Sequence, residues 1–348
     1  MHNWLQFLQQ QGAYVIDAAT GSVSTNDDVL TTNFIVPLYD AGLICVAGND
    51  AVTFLHNQLT NDVEHLAHGQ ARLAGYCTPK GRLLATMLIW KTDDCVLLHL
   101  PKALQATINK RLQMFVMRAK AVLSVVGEET VQLGLAGPAA ALALKNWFSA
   151  VPAAPYTTVH GDAGTLIRLA DTAAGIPRYL WVSDVAIAIA AWPQLTQTLQ
   201  PAGSNAWRLA RINAGIALIT LPTQEQFVPQ MINFELIGGV SFKKGCYPGQ
   251  EIVARSQYLG KLKRRMLPAT VNTLDIAAGD EVFSSADPDQ ACGMIVEAAQ
   301  TNSQSSACLV EIKLVALEAT VHLGSAAGPR LCFGTLPYKL SDESRPAS

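Results

Sequence analysis

Hydrophobic positions recur with two spacings in the first 126 residues, and together they predict a mixed α+β unit. Stretches with strand character cover 43–46, 72–76, 83–90, 95–100 and 120–126, and a turn composition separates two of them at Pro79-Lys80-Gly81. Two stretches have helical spacing instead. One follows Asn49 or Asp50 as N-cap, and the other opens at Pro101 and carries Leu104, Ile108 and Leu112. The resulting order, β-α-β-β-β-α-β, is that of a split βαβ unit.

A second α+β unit is predicted in residues 128–205. Its opening, Leu135-Ala-Gly-Pro-Ala-Ala140, parallels Val46-Ala-Gly-Asn-Asp-Ala51, because each has a strand end, a glycine turn and an alanine-rich helix start. Strands at 165–169 and 178–182 follow, and then a helix from Asp184 that Pro193 should end or kink. The repetition suggests an internal duplication, although two similar βα openings could also arise by coincidence.

The last third of the chain changes pattern and predicts a small antiparallel β-barrel. Short strands at 265–268, 281–284, 293–297, 308–316 and 319–323 are separated by glycine and polar turns. A short amphipathic helix is predicted at 2–11, ended by Gly12, another at 206–213, stopped by Gly215, and a disordered tail at 341–348. The predicted division is 1–127 with 206–261, then 128–205, then 262–340.

The stretch Phe242-Lys-Lys-Gly-Cys-Tyr-Pro-Gly-Gln-Glu251 is too polar for a core segment and predicts a functional loop. Gly245 and Gly249 permit backbone angles or close approaches that a side chain would block, and Pro248 suits a helix start. Lys244 and the start of a helix both favour a thiolate at Cys246. The alternative is a structural turn with a buried cysteine.

Composition narrows the class of protein. Seven cysteines without a Cys-x-x-Cys pair argue against a disulfide framework and against a metal site built from four cysteines, and His65 and His68 lack the further ligands that a metal would need. The other six cysteines lie in apolar stretches and are interpreted as small core residues. The net charge of −2 argues against general nucleic-acid binding. The short apolar runs and the N-terminus without a signal-type segment indicate a cytoplasmic protein without a membrane span.

The motif Lys244-Gly-Cys-Tyr-x-Gly-Gln-Glu251 resembles the signature of the YgfZ family, folate-binding relatives of the glycine-cleavage T-protein (aminomethyltransferase). Phe227-Val-Pro-Gln, Gly238-Gly-Val-Ser-Phe and Val253-Ala-Arg extend the resemblance. It implies a T-protein-like α+β fold, with two ferredoxin-like units and the barrel arranged around a central cavity. It also implies binding of tetrahydrofolate or a polyglutamylated derivative, with contacts at Trp207, Tyr247, Gln250, Glu251 and Arg255. Cys246 and Lys244 would be the functional thiol and its charge partner.

The function that this resemblance implies is support of iron–sulfur cluster assembly or repair in client enzymes, with indirect effects on tRNA modification. An active aminomethyltransferase is the first alternative. T-proteins carry an aspartate pair on the strand after the turn that here is Lys80-Gly81, whereas this chain has Leu84 and Ala85. An apolar strand cannot stabilise a developing cation, so the glycine-cleavage reaction is not expected. A tryptophan that the bacterial family has in its first domain is also replaced, by Ala41-Gly42.

A basic run follows the motif and allows a second alternative, direct tRNA binding or modification. Lys261, Lys263, Arg264 and Arg265 are accompanied in 243–265 by only one acid, Glu251. This charge could attract a folate polyglutamate tail or a nucleic-acid backbone, or it could belong to a solvated edge strand. The protein is expected to be a monomer.

Overall fold

The computed structural model describes residues 3–11, 14–17, 20–25, 31–258 and 262–340. The predicted start of the first helix at His2, its end at Gly12, Lys261 and the predicted disordered tail lie outside these residues. The helices are α1 Asn3–Gln10, α2 Ala51–His56, α3 Lys102–Gln113, α4 Pro138–Leu144, α5 Val185–Leu195, α6 Ser204–Asn213 and α7 Gln250–Tyr258.

Nineteen strands accompany them within the described ranges. In chain order, these are β1 Tyr14–Ile16, β2 Val23–Thr25, β3 Phe34–Pro37, β4 Ala41–Ala47, β5 Ala71–Cys77, β6 Leu83–Lys91, β7 Cys95–Pro101, β8 Val122–Val125, β9 Thr130–Ala136, β10 Thr158–Gly161, β11 Gly164–Leu169, β12 Arg178–Asp184, β13 Gln200–Pro201, β14 Arg264–Val271, β15 Glu281–Ser284, β16 Asp287–Gln300, β17 Ser306–Lys313, β18 Val321–Leu323 and β19 Leu331–Phe333.

The first predicted α+β unit is confirmed in its order of elements. Its strands form a five-stranded sheet in the order β5-β6-β7-β4-β8. The central pairings of β4 with β7 and with β8 are antiparallel, as are those of β6 with β7. Within this sheet, β6-β7-β4-β8 is the strand order of a ferredoxin-like unit, and β5 extends it at one edge.

The second α+β unit repeats this order, which supports the internal duplication. Its sheet runs β10-β11-β12-β9-β3-β13, so that β9, α4, β10, β11, β12 and α5 take the places of β4, α2, β5, β6, β7 and α3. The place of β8 is filled by β3, which comes from the N-terminal segment and pairs antiparallel with β9. Sequence patterning missed β3, β10 and β13, because each is short and lacks a clear alternation.

One glycine precedes the first helix of each α+β unit, and both make the same kind of close backbone contact. Gly48 has φ +104 and a Cβ there would lie 2.3 Å from the Lys120 carbonyl oxygen, just before β8. Gly137 has φ +98 and a Cβ would lie 2.4 Å from the Thr32 carbonyl oxygen, just before β3. In each case the chain entering the helix passes so close to the segment that leads into the fourth strand that only glycine fits.

The C-terminal part is a nearly closed, antiparallel, six-stranded barrel in the order β18-β15-β16-β17-β14-β19. An isolated bridge between His322 and Arg330 lies where the two edge strands approach each other. Its interior is apolar and is filled by Val282, Ile295, Val310, Ile312, Leu323 and Leu331. The predicted barrel is therefore confirmed, with β19 and the 3-10 turn Leu314–Glu318 as elements that the pattern did not indicate.

The chain divides into two compact units. One comprises Met1–Ala51, Leu66–Arg72 and Leu88–Ala210, and the other comprises Val52–His65, Leu73–Met87 and Arg211–Ser348. The core of the first unit brings together α1, α4 and α5 over the second sheet, with Trp4 edge-on to Trp192 at 5.6 Å between ring centroids. The three-part division made from sequence and the arrangement around a central cavity stay predictions. Within the described residues, no helix is both long and apolar enough to span a bilayer.

Candidate functional site

The loop that carries Cys246 has two glycines, Gly245 and Gly249, and leads into α7. Only one of them makes a backbone contact that requires glycine. Gly249 has φ +83, and a Cβ there would lie 2.5 Å from the Thr78 carbonyl oxygen and 2.7 Å from the Gly81 Cα. Gly245 is different, because a Cβ there would meet nothing closer than the His56 Nε2 at 3.7 Å. The predicted close approach is therefore found at Gly249, where two glycine turns pack against each other.

Lys244 anchors the loop to the end of α2. Its side chain is 9% exposed, and its Nζ donates to the carbonyl oxygens of His56 at 2.5 Å and Leu59 at 3.0 Å. Carbonyls at a helix C-terminus carry partial negative charge, so a lysine ammonium is a natural partner for them. Nζ also lies 4.6 Å from the centroid of the Tyr247 ring.

Burial lowers the pKa of Lys244 to about 8, although Asp62, Cys246 and Glu64 oppose the shift by favouring the charged form. The Lys244 ammonium is therefore partly desolvated and is held by backbone carbonyl oxygens and by the Tyr247 ring. The sequence suggested a charge partner for Cys246, and the recorded bonds add a second role, that of a structural anchor.

A carboxylate–imidazole pair lies beside the same loop, and the sequence analysis missed it. His56 is buried, its Nδ1 lies 3.2 Å from the Asp62 Oδ1, and its Nε2 lies 3.9 Å from the Glu64 Oε2. The Gly245 backbone passes next to this ring. His56 comes from α2, 190 positions before Cys246 in the chain, so no local pattern could connect the two residues.

The cysteines fall into three groups by exposure. Cys246 is exposed, as predicted for a functional loop, but Cys332 in β19 is exposed too. The prediction of a core position for Cys332 was therefore wrong: this short strand at the barrel edge presents the thiol to solvent. Cys45 and Cys95 are half-buried, and Cys77, Cys292 and Cys308 are buried. Burial raises the pKa of Cys77, Cys95 and Cys308 to about 12, which keeps these thiols neutral.

The other residues assigned by resemblance surround the start of α7. Tyr247 is buried, and burial together with the nearby Cys77 raises the pKa of its phenol. Gln250 is half-buried, and its backbone N–H donates to the Tyr247 carbonyl oxygen at 3.1 Å. Glu251 and Arg255 are exposed on successive turns of α7. Their assignment as folate contacts stays a prediction.

Trp207 lies in the other compact unit and is packed in its core. It is 7% exposed, and its indole ring fills the space that a side chain at Gly134 in β9 would need. The Arg178 guanidinium lies 5.2 Å from the ring centroid and also donates to the Ala210 carbonyl oxygen at 2.9 Å. Trp207 therefore has a packing role, and a further role as a wall for a pterin stays a prediction.

The region of Ala41-Gly42 borders a cavity of about 70 Å³ in the first-mentioned unit. Tyr39 lines it with the Lys102 Nζ 3.7 Å above the ring centroid, and the Gln132 Nε2 donates to the Ala41 carbonyl oxygen at 3.1 Å. Pockets that hold a drug-sized molecule measure roughly 300–1,000 Å³. This cavity is too small to take a pterin by itself.

The basic run after the motif is largely used within the fold. Arg264 forms a two-pronged ion pair with Glu311, with Nη2 2.8 Å from Oε2, and Arg265 pairs with Glu235 at 2.5 Å. Both carboxylates are almost completely buried. Of the four residues assigned to nucleic acid, Lys263 is exposed and Lys261 is outside the described residues. The nucleic-acid interpretation stays a prediction with two of its four charges already paired.

The strand β6, which the family resemblance aligns with the acid-bearing strand of T-proteins, is apolar. Leu84 and Ala85 are buried in β6, and the Leu84 carbonyl oxygen accepts a hydrogen bond from the Gln224 Nε2 at 2.8 Å. Among the residues that the structure describes, no group of three or more His, Cys, Asp or Glu side chains is placed to hold a metal ion.

Comparison with known proteins agrees with this architecture. The model of the GCVT N-terminal domain family matches residues 27–243. The glycine cleavage system aminomethyltransferase T from Bartonella henselae superposes with a TM-score of 0.78 over 96% of both chains, at 18% identity, which shows the fold alone. The protein is thus of the T-protein structural class.

Two curated relatives narrow this class. The chain is 34% identical over 235 residues to the tRNA-modifying protein YgfZ of Enterobacter sp. (strain 638), covering 67% of this chain and 70% of the relative. It is 36% identical over 243 residues to the protein of that name from Hamiltonella defensa subsp. Acyrthosiphon pisum (strain 5AT), covering 67% and 68%. The chain belongs to the YgfZ family.

Proposed function

We propose that this protein is a tetrahydrofolate-binding accessory protein whose exposed thiol, Cys246, supports iron–sulfur cluster assembly or repair in client enzymes. The observation that carries the proposal is the construction of the Cys246 loop. The buried Lys244 and the close backbone contact at Gly249 hold the loop at both sides of a cysteine that is itself exposed. A thiol held in place and open to solvent is suited to act on another molecule.

The effect on tRNA is proposed to be indirect. The two curated relatives are named as tRNA-modifying proteins. In this chain Arg264 and Arg265 are already paired with buried carboxylates, which disfavours a phosphate-binding surface at the basic run. We infer that the protein serves enzymes that modify tRNA and does not itself bind tRNA through this run.

The thiol is tested by complementation with a matched pair of variants. A bacterial strain without its own family member would carry the wild type, Cys246→Ser or Cys332→Ser, and the activity of an iron–sulfur enzyme that modifies tRNA would be measured through its product. Both serines replace one exposed sulfur, so folding should be kept in each. We expect loss of the product with Cys246→Ser alone. Equal products from the two variants would refute a functional thiol.

The ligand is tested by titration with tetrahydrofolate and, separately, with tRNA. Trp207→Phe keeps an aromatic ring against Gly134 and should weaken folate binding, whereas Trp147→Phe, in a packed pair with Trp181, should not. Saturable binding of tRNA but not of tetrahydrofolate would overturn the proposal in favour of a direct RNA-binding protein. Fluorescence of the remaining tryptophans or calorimetry provides the readout.

A further inference from the structure

Exposed apolar side chains concentrate on one short surface, formed by the end of α3, the turn after it and β8. Of thirteen large hydrophobic residues that are exposed in the described parts of the chain, five lie between positions 114 and 125. Met117 is 88% exposed, Val122 68% and Met114 64%, and Phe115 and Val125 complete the group. We call residues 110–125 the α3–β8 surface. Such clustering is unusual for a face that meets only water.

The same surface carries basic residues and no acidic ones. Residues 110–125 contain no Asp or Glu and four basic residues, in a protein with a net charge of −2: Lys110, Arg111, Arg118 and Lys120. Lys110, Arg118 and Lys120 are exposed, and among the described residues none of the three has an ion pair. The acid recorded next to them is Asp50, whose Oδ2 accepts the Lys120 backbone amide at 2.7 Å. The surface keeps a clear excess of positive charge.

The backbone of this surface leaves a strand edge and a turn residue accessible to solvent. β8 is the last strand in the order of its sheet, so one of its edges has no neighbouring strand among the described residues. Val122 and Val125 are three positions apart on this strand and therefore flank the free edge from opposite faces. Met117, the most exposed apolar residue, has φ +44, a left-handed conformation that is strained for a side chain of this kind.

We propose that the α3–β8 surface is the docking site for a partner protein that presents acidic residues around an apolar segment. Methionine and arginine are enriched at protein interfaces, and a positive rim attracts an acidic partner and selects against basic ones. A second copy of this chain would bring the same cations face to face. RNA would gain little from methionine and valine, which cannot stack on bases, and only Phe115 offers an aromatic ring. This inference does not depend on the folate or thiol proposals.

The test is photo-crosslinking in cells from a benzoylphenylalanine placed at Met117, with the same probe at Leu142 as control. Leu142 lies on α4 and is 66% exposed, so it is also open to solvent, with one nearby cation, Lys145, in place of the four basic residues of the α3–β8 surface. A second protein carries the probe at Met117 together with Lys110→Glu and Arg118→Glu. These side chains are on the surface, and an unchanged thermal melting curve would show that folding is kept.

We expect protein adducts at Met117 in about tenfold excess over Leu142, crosslinked peptides of net negative charge, and a loss of about tenfold after the charge reversal. Equal yields at the two positions would overturn the proposal, as would adducts that are unaffected by charge reversal. Crosslinking to RNA, to lipid, to a second copy of the chain or to a partner peptide without acidic residues would also overturn it, because each assigns a different occupant to the surface.

Discussion

At the scale of single residues, Lys244 shows how a tertiary contact changes the meaning of a motif. Cys246, the proposed functional cysteine, lies two positions further along the chain, and this suggested that Lys244 is a charge partner for the thiol. Its recorded hydrogen bonds go to the end of α2, at the carbonyl oxygens of His56 and Leu59, and to the Gly245 carbonyl oxygen. Because the Lys244 Nζ donates to three carbonyl oxygens, Lys244 fixes the position of the loop that carries Cys246. This structural role is independent of any effect on the chemistry of the thiol.

This anchor predicts a specific pH dependence of stability. The pKa of Lys244 is about 8 in the folded protein and 10.5 in an unfolded chain. Between these values the unfolded chain binds the extra proton, so the free energy of unfolding of the wild type should rise with pH relative to Lys244→Met. The slope stays below roughly 1.4 kcal/mol per pH unit, the limit for one proton. Denaturant titrations from pH 7 to above pH 10 would measure it.

The control for this experiment is Lys243→Met. Lys243 is exposed and adjacent to Lys244, so its replacement removes one lysine without removing a buried amine. Its replacement should change the free energy of unfolding by less than about 0.5 kcal/mol. A difference between wild type and Lys244→Met that does not change with pH would mean that the ammonium of Lys244 is not buried in the way described.

At the scale of elements, close backbone contacts made by glycine residues determine where the helices lie. Gly48 and Gly137 let the two repeated helices start beside the segments that lead into β8 and β3, and Gly249 does so for α7 against the turn at Gly81. The amphipathic pattern predicts that a helix forms. These contacts decide where it begins and what it lies against.

A pair of glycine variants tests this at the Cys246 loop. Gly249→Ala should cost about 2–4 kcal/mol, because the residue has a positive φ and its Cβ would overlap the Thr78 carbonyl oxygen. Gly245→Ala should cost no more than about 1 kcal/mol, since the nearest atom is an imidazole nitrogen at ordinary contact distance. Urea unfolding of the two proteins compares them. Similar losses would contradict the claim that only one of these glycines is structurally required.

Arg264 and Arg265 of the barrel form ion pairs with buried carboxylates, although the sequence pattern suggested that their charges belong to a basic surface run. Arg265→Met should cost about 3–5 kcal/mol, because it leaves Glu235 buried without its cation. Adding Glu235→Leu should recover much of this loss, and Lys263→Met, at an exposed neighbouring position, should change stability by less than about 0.5 kcal/mol. Chemical denaturation of the three variants is the measurement. If the double variant is no more stable than the single one, the loss comes from packing rather than from the unpaired carboxylate.

At the scale of the whole molecule, the T-protein fold is present with an apolar strand at the place where the family resemblance puts the catalytic acid of T-proteins. The fold matches an aminomethyltransferase with a TM-score of 0.78, yet β6 has the buried, apolar residues Leu84 and Ala85 near its start. A shared fold preserves the arrangement of elements, whereas chemistry depends on a few side chains that can change independently.

We therefore predict that the protein does not form methylenetetrahydrofolate from an aminomethyl donor. Leu84→Asp should not create the activity, since the apolar surroundings of β6 would disfavour the charged carboxylate. An assay with a T-protein as positive control would check both proteins. Measurable turnover by the wild type would refute the prediction.

The sequence by itself determined the elements and the family. Hydrophobic spacing depends on local geometry, so it predicted β4 to β8 with their two helices, α4, α5 and most of the barrel strands. The motif around Cys246 carried the family resemblance, which the comparisons confirmed. The sequence also indicated a tight turn before α7, because glycine and proline act on the backbone where they stand.

Only the tertiary structure decided which distant groups meet. β3 completes the second sheet from a hundred positions away, and His56 joins the Cys246 loop although no local pattern links them. Arg264 and Arg265 looked free until the barrel placed buried carboxylates beside them, and Cys332 looked buried until β19 was found at the barrel edge. Local patterns report the preferences of one segment, whereas pairing, burial and charge neutralisation depend on what the rest of the chain brings to that place.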